Sequence, residues 1–294
     1  LKIAGLKKRR QNDFISAEIK QLLKLPDHMR TILSMRNQIG NSAKRLATTK
    51  TYWAAVGSGP NKAAADEIRI KLSELCYKTI SSDYIEDKKH IDLSSEPLII
   101  VCAAGARGTV IGDIIKDTAI FQAHKAAPVV IADEGENRFE PYAEDVFYVP
   151  LISEHFSPIL NTLVGQIWGD DAAVAIDEAS RFLDTFNKDI SDIVDEYSRK
   201  NMDVYELVLG KSFREKIAVF YKEFRKRKAA NGFPTAMGLE MASDLTLLLK
   251  YLSGRLPISD FEIDFGKKGT ALNMLNKLFE CLGESINCMS RPVD

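Results

Sequence analysis

The sequence lacks a hydrophobic run of the ~18 residues that a membrane-spanning helix needs, and no signal-peptide pattern stands at its start. Cysteine is scarce: four residues of 294, with no metal-type spacing between them. Neither sign of charge prevails, because the net charge is −1. These absences argue against a membrane or nucleic-acid partner. They predict a protein of the reducing cytoplasm, without disulfides, metal or cofactor.

The remaining composition is that of an ordinary soluble globular protein, with 45% hydrophobic and 28% charged residues. A chain of this length can form two hydrophobic cores. It opens on Leu1 rather than on methionine, which predicts a processed or truncated piece of a longer polypeptide.

The central part of the chain alternates between short apolar runs and helical patterns. Helices are predicted at 60–77, 108–124 and 157–176, and strands at 52–56, 78–84, 97–102, 128–132 and 145–149. Strands that alternate with helices at this spacing indicate β-α-β units. The predicted fold class is therefore α/β, with an open, doubly wound parallel sheet.

Helical patterns flank this region on both sides. The first, from Asp13 to Met35, contains Pro26, so two helices or one kinked helix are expected. Beyond Asp177 helices are predicted at 179–208, 212–228, 238–252 and 268–282, while the alternation in 258–265 favours one more strand. We thus expect a helical lead-in at 1–48, the α/β domain at 49–178 and a mainly helical extension at 179–294.

Ligands of open parallel sheets bind where strands turn into helices at the carboxyl edge. The first such turn reads Gly-Ser-Gly-Pro-Asn, and its two glycines would let the backbone approach a ligand before the helix start offers free N–H groups. A tight turn without any ligand explains the same residues equally well. The candidate ligand-binding residues of this turn are Gly57, Ser58, Gly59 and Asn61.

Two further turns meet the same condition. The turn 103–109 is rich in small residues and carries Arg107 and Thr109, which is compatible with phosphate binding, although it is poor in hydroxyl groups. The turn 133–136 is acidic and would repel an anion.

Charged residues on the helix after the first turn offer a different kind of chemistry. Glu67, Lys71 and Glu74 are spaced i, i+4 and i+7, so they project from one face. Ordinary surface ion pairs explain this spacing, but a carboxylate beside a lysine can also act as a general base. His90, in a polar loop, is a candidate second proton carrier.

These residues together resemble the second half of the sugar-isomerase (SIS) domain of glucosamine-6-phosphate synthase. In that family a Gly-rich turn precedes a helix with a Glu, a Lys and a final Glu, and a Lys-His pair follows. Glu67, Lys71, Glu74 and the pair Lys89-His90 match these positions without a gap. The resemblance extends over about 46–176.

The resemblance implies roles for these side chains in ketose–aldose isomerisation of a phosphorylated sugar. Glu74 would move a proton between the first two sugar carbons, Lys71 would hold charge beside it, and His90 would assist ring opening. In the family this histidine reaches the neighbouring subunit, which implies a homodimer. Glu67 and the glycine-rich turn would face the substrate.

Three readings of function remain open at this point. The chain could be the isomerase part of a glutamine-dependent synthase, another SIS-type phosphosugar isomerase or deglycase, or a non-catalytic module for sugar-phosphate binding or dimerisation. The family's phosphate loop, Ser-x-Ser-Gly-x-Thr, belongs to its first half and does not occur in this sequence. Part of the substrate pocket must therefore come from elsewhere in the first reading.

Overall fold

The computed structural model describes residues 1–76, 78–88 and 97–289. It divides the chain into two compact units, Leu1–Ala173 and Val174–Asp294, which we call unit 1 and unit 2. The predicted lead-in thus lies in the same compact unit as the sheet. The functional domain limits at residues 48 and 178 stay predictions.

Unit 1 is built on a parallel sheet of five strands in the order β2-β1-β3-β4-β5. This order is that of a flavodoxin-like doubly wound sheet, with its switch point between β1 and β3. The predicted fold class is confirmed. The strands are β1 (Trp53–Gly57), β2 (Ile80–Tyr84), β3 (Leu98–Cys102), β4 (Ala127–Asp133) and β5 (Asp145–Val149).

The apolar runs become strands because the middle of the sheet is covered on both faces. Every residue of β1, β3 and β4 is buried, whereas the edge strand β2 has polar and partly exposed residues. Strand ends differ from the predicted ones by no more than two residues. The sequence pattern therefore located all five strands.

Helices surround this sheet and lead into it. They are α1 (Lys2–Leu6), α2 (Asn12–Ser34), α3 (Arg36–Ala47), α4 (Asn61–Cys76), α5 (Ile85–Lys88) and α6 (Thr109–Ala123). Pro26 lies inside α2 without ending it. Pro26 is exposed, so water can satisfy the carbonyl that its missing N–H leaves free. Short α5 occupies part of the stretch that was expected to be a loop.

The helix after the sheet, α7, is much longer than predicted and extends from Ser157 to Arg199. The predicted break at Asp177 is wrong. Neither glycine nor proline occurs between Asp170 and Arg199, so the backbone has no reason to stop there. The division between the two units falls within this helix.

Unit 2 is helical, and its apolar side chains form a core of their own. Besides the end of α7 it contains α8 (Val204–Leu209), α9 (Lys211–Ala229), α10 (Leu239–Leu252), α11 (Phe261–Phe265) and α12 (Ala271–Met289). The four longer helices correspond to predicted ones.

The strand favoured at 258–265 is wrong, because the segment forms a 3-10 turn, Ile258–Asp260, followed by α11. A strand would place Phe261, Ile263 and Phe265 on one face. In the structure Phe261 is buried and packs on Phe265, with ring centroids 4.9 Å apart, while Ile263 is 83% exposed. Phe261 and Phe265, spaced i, i+4, share a face in a helix and in a strand alike. Only the exposure of Ile263, which a strand would place on the same face, distinguishes the two.

Within the described ranges, no helix has the length and apolar character needed to cross a bilayer.

Candidate functional site

All five parallel strands end at one edge of the sheet, which we call the carboxyl edge. The first predicted turn lies there, at the switch point. Gly57 is required by space, because a Cβ at this position would collide with the backbone carbonyl of Asn61. Gly59 has φ +54 and open space around it, so its backbone is accessible. The turn therefore has the exposed glycine backbone that a ligand could approach.

The Asn61 side chain is occupied by the protein itself. It is 4% exposed, its Nδ2 donates to the carbonyl of Ala104 at 2.8 Å, and its Oδ1 accepts from Asn161 at 3.1 Å and Ser157 at 3.3 Å. This buried network joins the start of α4, the turn after β3 and the start of α7. The network therefore holds these segments together behind the turn, and the polar atoms of the Asn61 side chain are occupied by it.

Ser58 is also engaged, because its hydroxyl donates to Glu86 of α5 at 2.5 Å. The side chain is buried, with 8% exposed. The backbone of the turn is therefore more accessible to a ligand than its two polar side chains.

The second and third turns meet through an ion pair between Arg107 and Asp133. Arg107 also donates to the carbonyl of Ile152 at 3.3 Å, and the other oxygen of Asp133 accepts from the backbone N–H of Gly105 at 3.0 Å. A phosphate at Arg107 would have to compete with this carboxylate. The structure thus argues against the phosphate interpretation of the second turn.

A cavity of about 350 Å³ opens beside these two turns. Its acidic wall includes Glu134 and Glu136, and an ion pair with Arg138 lowers the pKa of Glu136. Glu136 therefore contributes a carboxylate to this wall at neutral pH. The chemistry of this wall suits hydroxyl or cationic groups better than a phosphate.

Glu67, Lys71 and Glu74 form what we call the charged face of α4. Lys71 donates to Glu74 at 3.0 Å, and this hydrogen bond raises the pKa of Lys71. Glu67 accepts from Gln166 of α7 at 3.4 Å. The side chain of Glu74 is 58% exposed, so its carboxylate is open to a substrate or to a partner.

The structure brings Lys71 and Glu74 together but separates them from the first turn. Glu74 lies thirteen residues after Asn61 along α4, which at the helical rise corresponds to about 20 Å. The glycine-rich turn and the pair of Lys71 and Glu74 are therefore towards opposite ends of one helix, with Glu67 between them. His90 lies outside the described residues.

The sequence did not reveal two polar residues of α7 that form hydrogen bonds at the carboxyl edge. Ser157 and Asn161 are buried among polar partners from β3 and α4. Asparagine within an otherwise apolar helical pattern was the available signal, since a buried amide needs partners. Among the residues that the structure describes, no group of acidic, histidine and cysteine side chains could hold a metal ion.

Curated relatives match about three fifths of the chain. Glutamine–fructose-6-phosphate aminotransferase (isomerizing) of Mycolicibacterium smegmatis is 27% identical over 180 residues, which are 60% of this chain and 28% of that protein. The enzyme of the same name from Methanosarcina acetivorans is 27% identical over 177 residues, again 60% and 28%. The chain thus spans less than a third of the length of these relatives. No family model matches the chain.

A solved structure of a protein with the same activity in its name is also similar to this chain. The C-terminal domain of glucosamine-fructose-6-phosphate aminotransferase from Francisella tularensis superposes with a TM-score of 0.54 at 16% identity, covering 58% of this chain and 48% of that one. At this identity the likeness concerns the fold. The resemblance to the synthase's isomerase domain is confirmed.

Glu67, Lys71 and Glu74 stay predicted site residues. Lys71 and Glu74 lie towards the C-terminal end of α4, away from the carboxyl edge of the sheet.

Proposed function

We propose that the chain is the isomerase part of a glutamine-dependent glucosamine-6-phosphate synthase. In this role it would convert a phosphorylated ketose, fructose 6-phosphate, towards the amino-aldose product in the cytoplasm. The observation that carries the proposal is the hydrogen-bonded pair of Lys71 and Glu74 on an exposed helical face, at the spacing of the synthase motif. Similarity to curated aminotransferases over 60% of the chain supports it.

Glu74 is the base in this proposal. Ketose–aldose exchange requires a proton to leave one sugar carbon and arrive at its neighbour, and one carboxylate can carry it on one face of the sugar. Lys71 stays protonated because its hydrogen bond with Glu74 raises its pKa. It can therefore stabilise negative charge that develops on the sugar oxygen.

His90 is the second proton carrier, acting at the ring oxygen during ring opening. We propose that it does so in the neighbouring subunit of a homodimer. Imidazole suits this task, since its charge changes near neutral pH. The reaction needs neither a metal nor an organic cofactor in this scheme.

The placement of the charged face supports a shared pocket. Lys71 and Glu74 point away from the carboxyl edge of their own sheet, so groups that hold the sugar phosphate would reach them from a segment outside this chain. The exposed backbone of Gly59 would then be secondary to the chemistry. This agrees with the absence of a Ser-x-Ser-Gly-x-Thr loop from the sequence.

Replacement of Glu74 by glutamine in the full-length protein tests the proposal. Loss of a general base lowers turnover by about 10²–10⁴-fold, while substrate binding is largely kept. Steady-state kinetics with fructose 6-phosphate and glutamine would measure kcat and KM separately. The matched control is Asp66→Asn, which changes a carboxylate to an amide on the same helix, where it pairs with Lys62 at 2.5 Å.

Different outcomes separate the alternatives. If Glu74→Gln turns over like the wild type, the non-catalytic interpretation of this module replaces the proposal. If the wild type isomerises other sugar phosphates but forms no amino sugar, it is a different SIS-type isomerase or deglycase. If both variants lose activity together, folding rather than catalysis explains the loss, and circular dichroism would show it.

A further inference from the structure

Two arginines of unit 2, which have no part in the proposed chemistry, meet at one aromatic ring. The guanidinium carbon of Arg225, on α9, lies 5.9 Å from the centre of the Tyr221 ring. That of Arg255, in the turn after α10, lies 5.2 Å from the centre of the same ring. A guanidinium group is attracted to the electron-rich face of a tyrosine ring, so these contacts restrict both side chains.

Both arginines approach the ring from the solvent. Tyr221 belongs to the core of unit 2 and is 5% exposed, whereas Arg225 and Arg255 are exposed residues. Because the core covers the ring from the other side, the two guanidinium groups lie near each other at the surface. Neither side chain donates a hydrogen bond within the part of the chain that the structure describes, so their N–H groups are available to a ligand.

The pair of arginines also lacks a neutralising carboxylate, since neither takes part in an ion pair with any described residue. Both carboxylates of α9 are engaged with other side chains. Glu215 pairs with Lys211 at 3.8 Å, and Glu223 pairs with Arg227 at 3.4 Å. Like charges that share one ring repel each other, so a bound anion would lower the energy of this arrangement.

A third arginine adds positive charge beside this pair. Nη1 of Arg214 would lie 3.0 Å from a Cβ at Gly254, the residue before Arg255, while its Nε donates to the carbonyl of Val208 at 3.1 Å. Arg214 lies near the start of α9, where the helix dipole disfavours a cation. The dipole accounts for the basic residues 226–228 at the other end of α9, but for neither Arg214 nor Arg255.

The hydroxyl of Tyr221 is the observation that points to a ligand. It forms no hydrogen bond with the described residues, and its oxygen is not among the fully enclosed ones, so it reaches the surface. A tyrosine hydroxyl on so deeply buried a side chain usually has a partner. Tyr251, for comparison, is 3% exposed and donates to Asp264 at 2.6 Å. An unused hydroxyl donor and two guanidinium groups, which are donors only, therefore occur together.

We propose that Arg225, Arg255 and the Tyr221 hydroxyl bind a phosphate group, as the free ion or as the monoester of a small molecule. A phosphomonoester carries about two negative charges and three strong acceptor oxygens. These match two guanidinium charges and three donor groups, whereas a carboxylate would leave one charge unmatched. A nucleic acid requires a longer basic surface than the surroundings of one ring. The proposal does not depend on the isomerase function, because it uses residues of unit 2 alone.

Isothermal titration calorimetry of the full chain with inorganic phosphate tests this site, at an ionic strength held constant with sodium chloride. Tyr221→Phe removes the hydroxyl and keeps the ring in the core, and it should weaken binding by about tenfold. Arg255→Gln should weaken binding by about tenfold or more, since a charge-assisted contact is lost. Two matched controls should bind as the wild type does: Tyr205→Phe, at an exposed tyrosine of α8, and Arg181→Gln, at an exposed arginine of α7.

Glycerol 3-phosphate, titrated in the same way, distinguishes the sources of the phosphate group. Binding no tighter than that of inorganic phosphate assigns the site to the free ion, and tighter binding assigns it to an ester; either result supports the proposal.

The proposal is overturned if the wild type binds neither probe, or if Tyr221→Phe or Arg255→Gln retains the wild-type affinity. An equal loss in Arg181→Gln would show a general effect of net charge and would overturn it as well. If circular dichroism shows that Arg255→Gln does not fold, Arg225→Gln takes its place with the same expected loss. None of these results bears on Glu74, whose role is measured by turnover.

Discussion

At the scale of single residues, Lys78 is a lysine whose burial disfavours its charged form. Its Nζ donates to the carbonyls of Lys50 at 2.9 Å and Ala47 at 3.4 Å, and lies 4.3 Å from the centre of the Trp53 ring. Burial lowers its pKa from 10.5 to about 8. Lys78 thus caps the end of α3 and joins it to the sheet, although burial disfavours its charge.

This depressed pKa predicts a rise in stability with pH above 8. Between pH 8 and the unfolded value of 10.5 the unfolded chain binds the proton more tightly, so the free energy of unfolding increases with pH, by up to about 1 kcal/mol per pH unit. Lys78→Met should lack this contribution, so the wild type should gain stability relative to the variant between pH 8 and pH 9. Denaturant unfolding at pH 8 and pH 9 measures it, with Lys20→Met, an exposed lysine of α2, as control.

Buried thiols oppose this rise over the same pH range. Burial raises the pKa of Cys76 and Cys102 to about 12 and that of Cys281 to about 11, from 9.0, so from about pH 8 upwards the unfolded state loses their protons first and their contribution to stability falls. The thiols are common to both proteins, so the contribution of Lys78 is read as the difference between the wild type and Lys78→Met at each pH. An unchanged pH dependence in Lys78→Met would show that the amine is not buried in solution.

At the scale of elements, the junction between β3 and α7 depends on one glycine. Gly105 follows β3 with φ +80, and a Cβ there would overlap the hydroxyl of Ser157, which is 1% exposed at the start of α7. Gly105→Ala should therefore lower the free energy of unfolding by about 1–3 kcal/mol. Thermal or denaturant unfolding measures the change.

Gly112 provides the opposite expectation with the same chemical substitution. It lies in α6, and a Cβ there would contact nothing within 4 Å. Gly112→Ala should stabilise the protein by about 0.5–1 kcal/mol through helix propensity. Equal effects of the two alanines would contradict the strained geometry at Gly105.

The elements also show what the sequence could and could not predict. Apolar runs located the strands because β3 and β4 are buried on both faces, and burial leaves a continuous signal. The spacing of Glu67, Lys71 and Glu74 predicted that they project from one face; the structure pairs Lys71 with Glu74 there, while Glu67 is half-buried and accepts from Gln166 of α7. The separation of that face from the first turn could not be predicted, because it depends on the length of α4 in the folded protein. The hydrogen bonds of the Asn61 side chain could not be predicted either, because their partners lie in the turn after β3 and in α7, which are distant in sequence.

At the scale of the whole molecule, the two units carry separate parts of the account. Unit 1 presents the pair of Lys71 and Glu74 on the outside of a parallel sheet, and unit 2 forms a helical core of its own. The sequence predicted the first unit through a motif. For unit 2 it predicted helices alone, because apolar spacing indicates packing and names no function.

The central claim is that Glu74 moves a proton between the first two carbons of a sugar phosphate. Its most direct measurement is NMR of fructose 6-phosphate in D₂O with the full-length protein, following deuterium that enters at C1 of this ketose and at C2 of the aldose product. We predict that Glu74→Gln slows this exchange by about 100-fold or more, while Asp66→Asn exchanges at the wild-type rate. Exchange by Glu74→Gln at the wild-type rate would contradict the account.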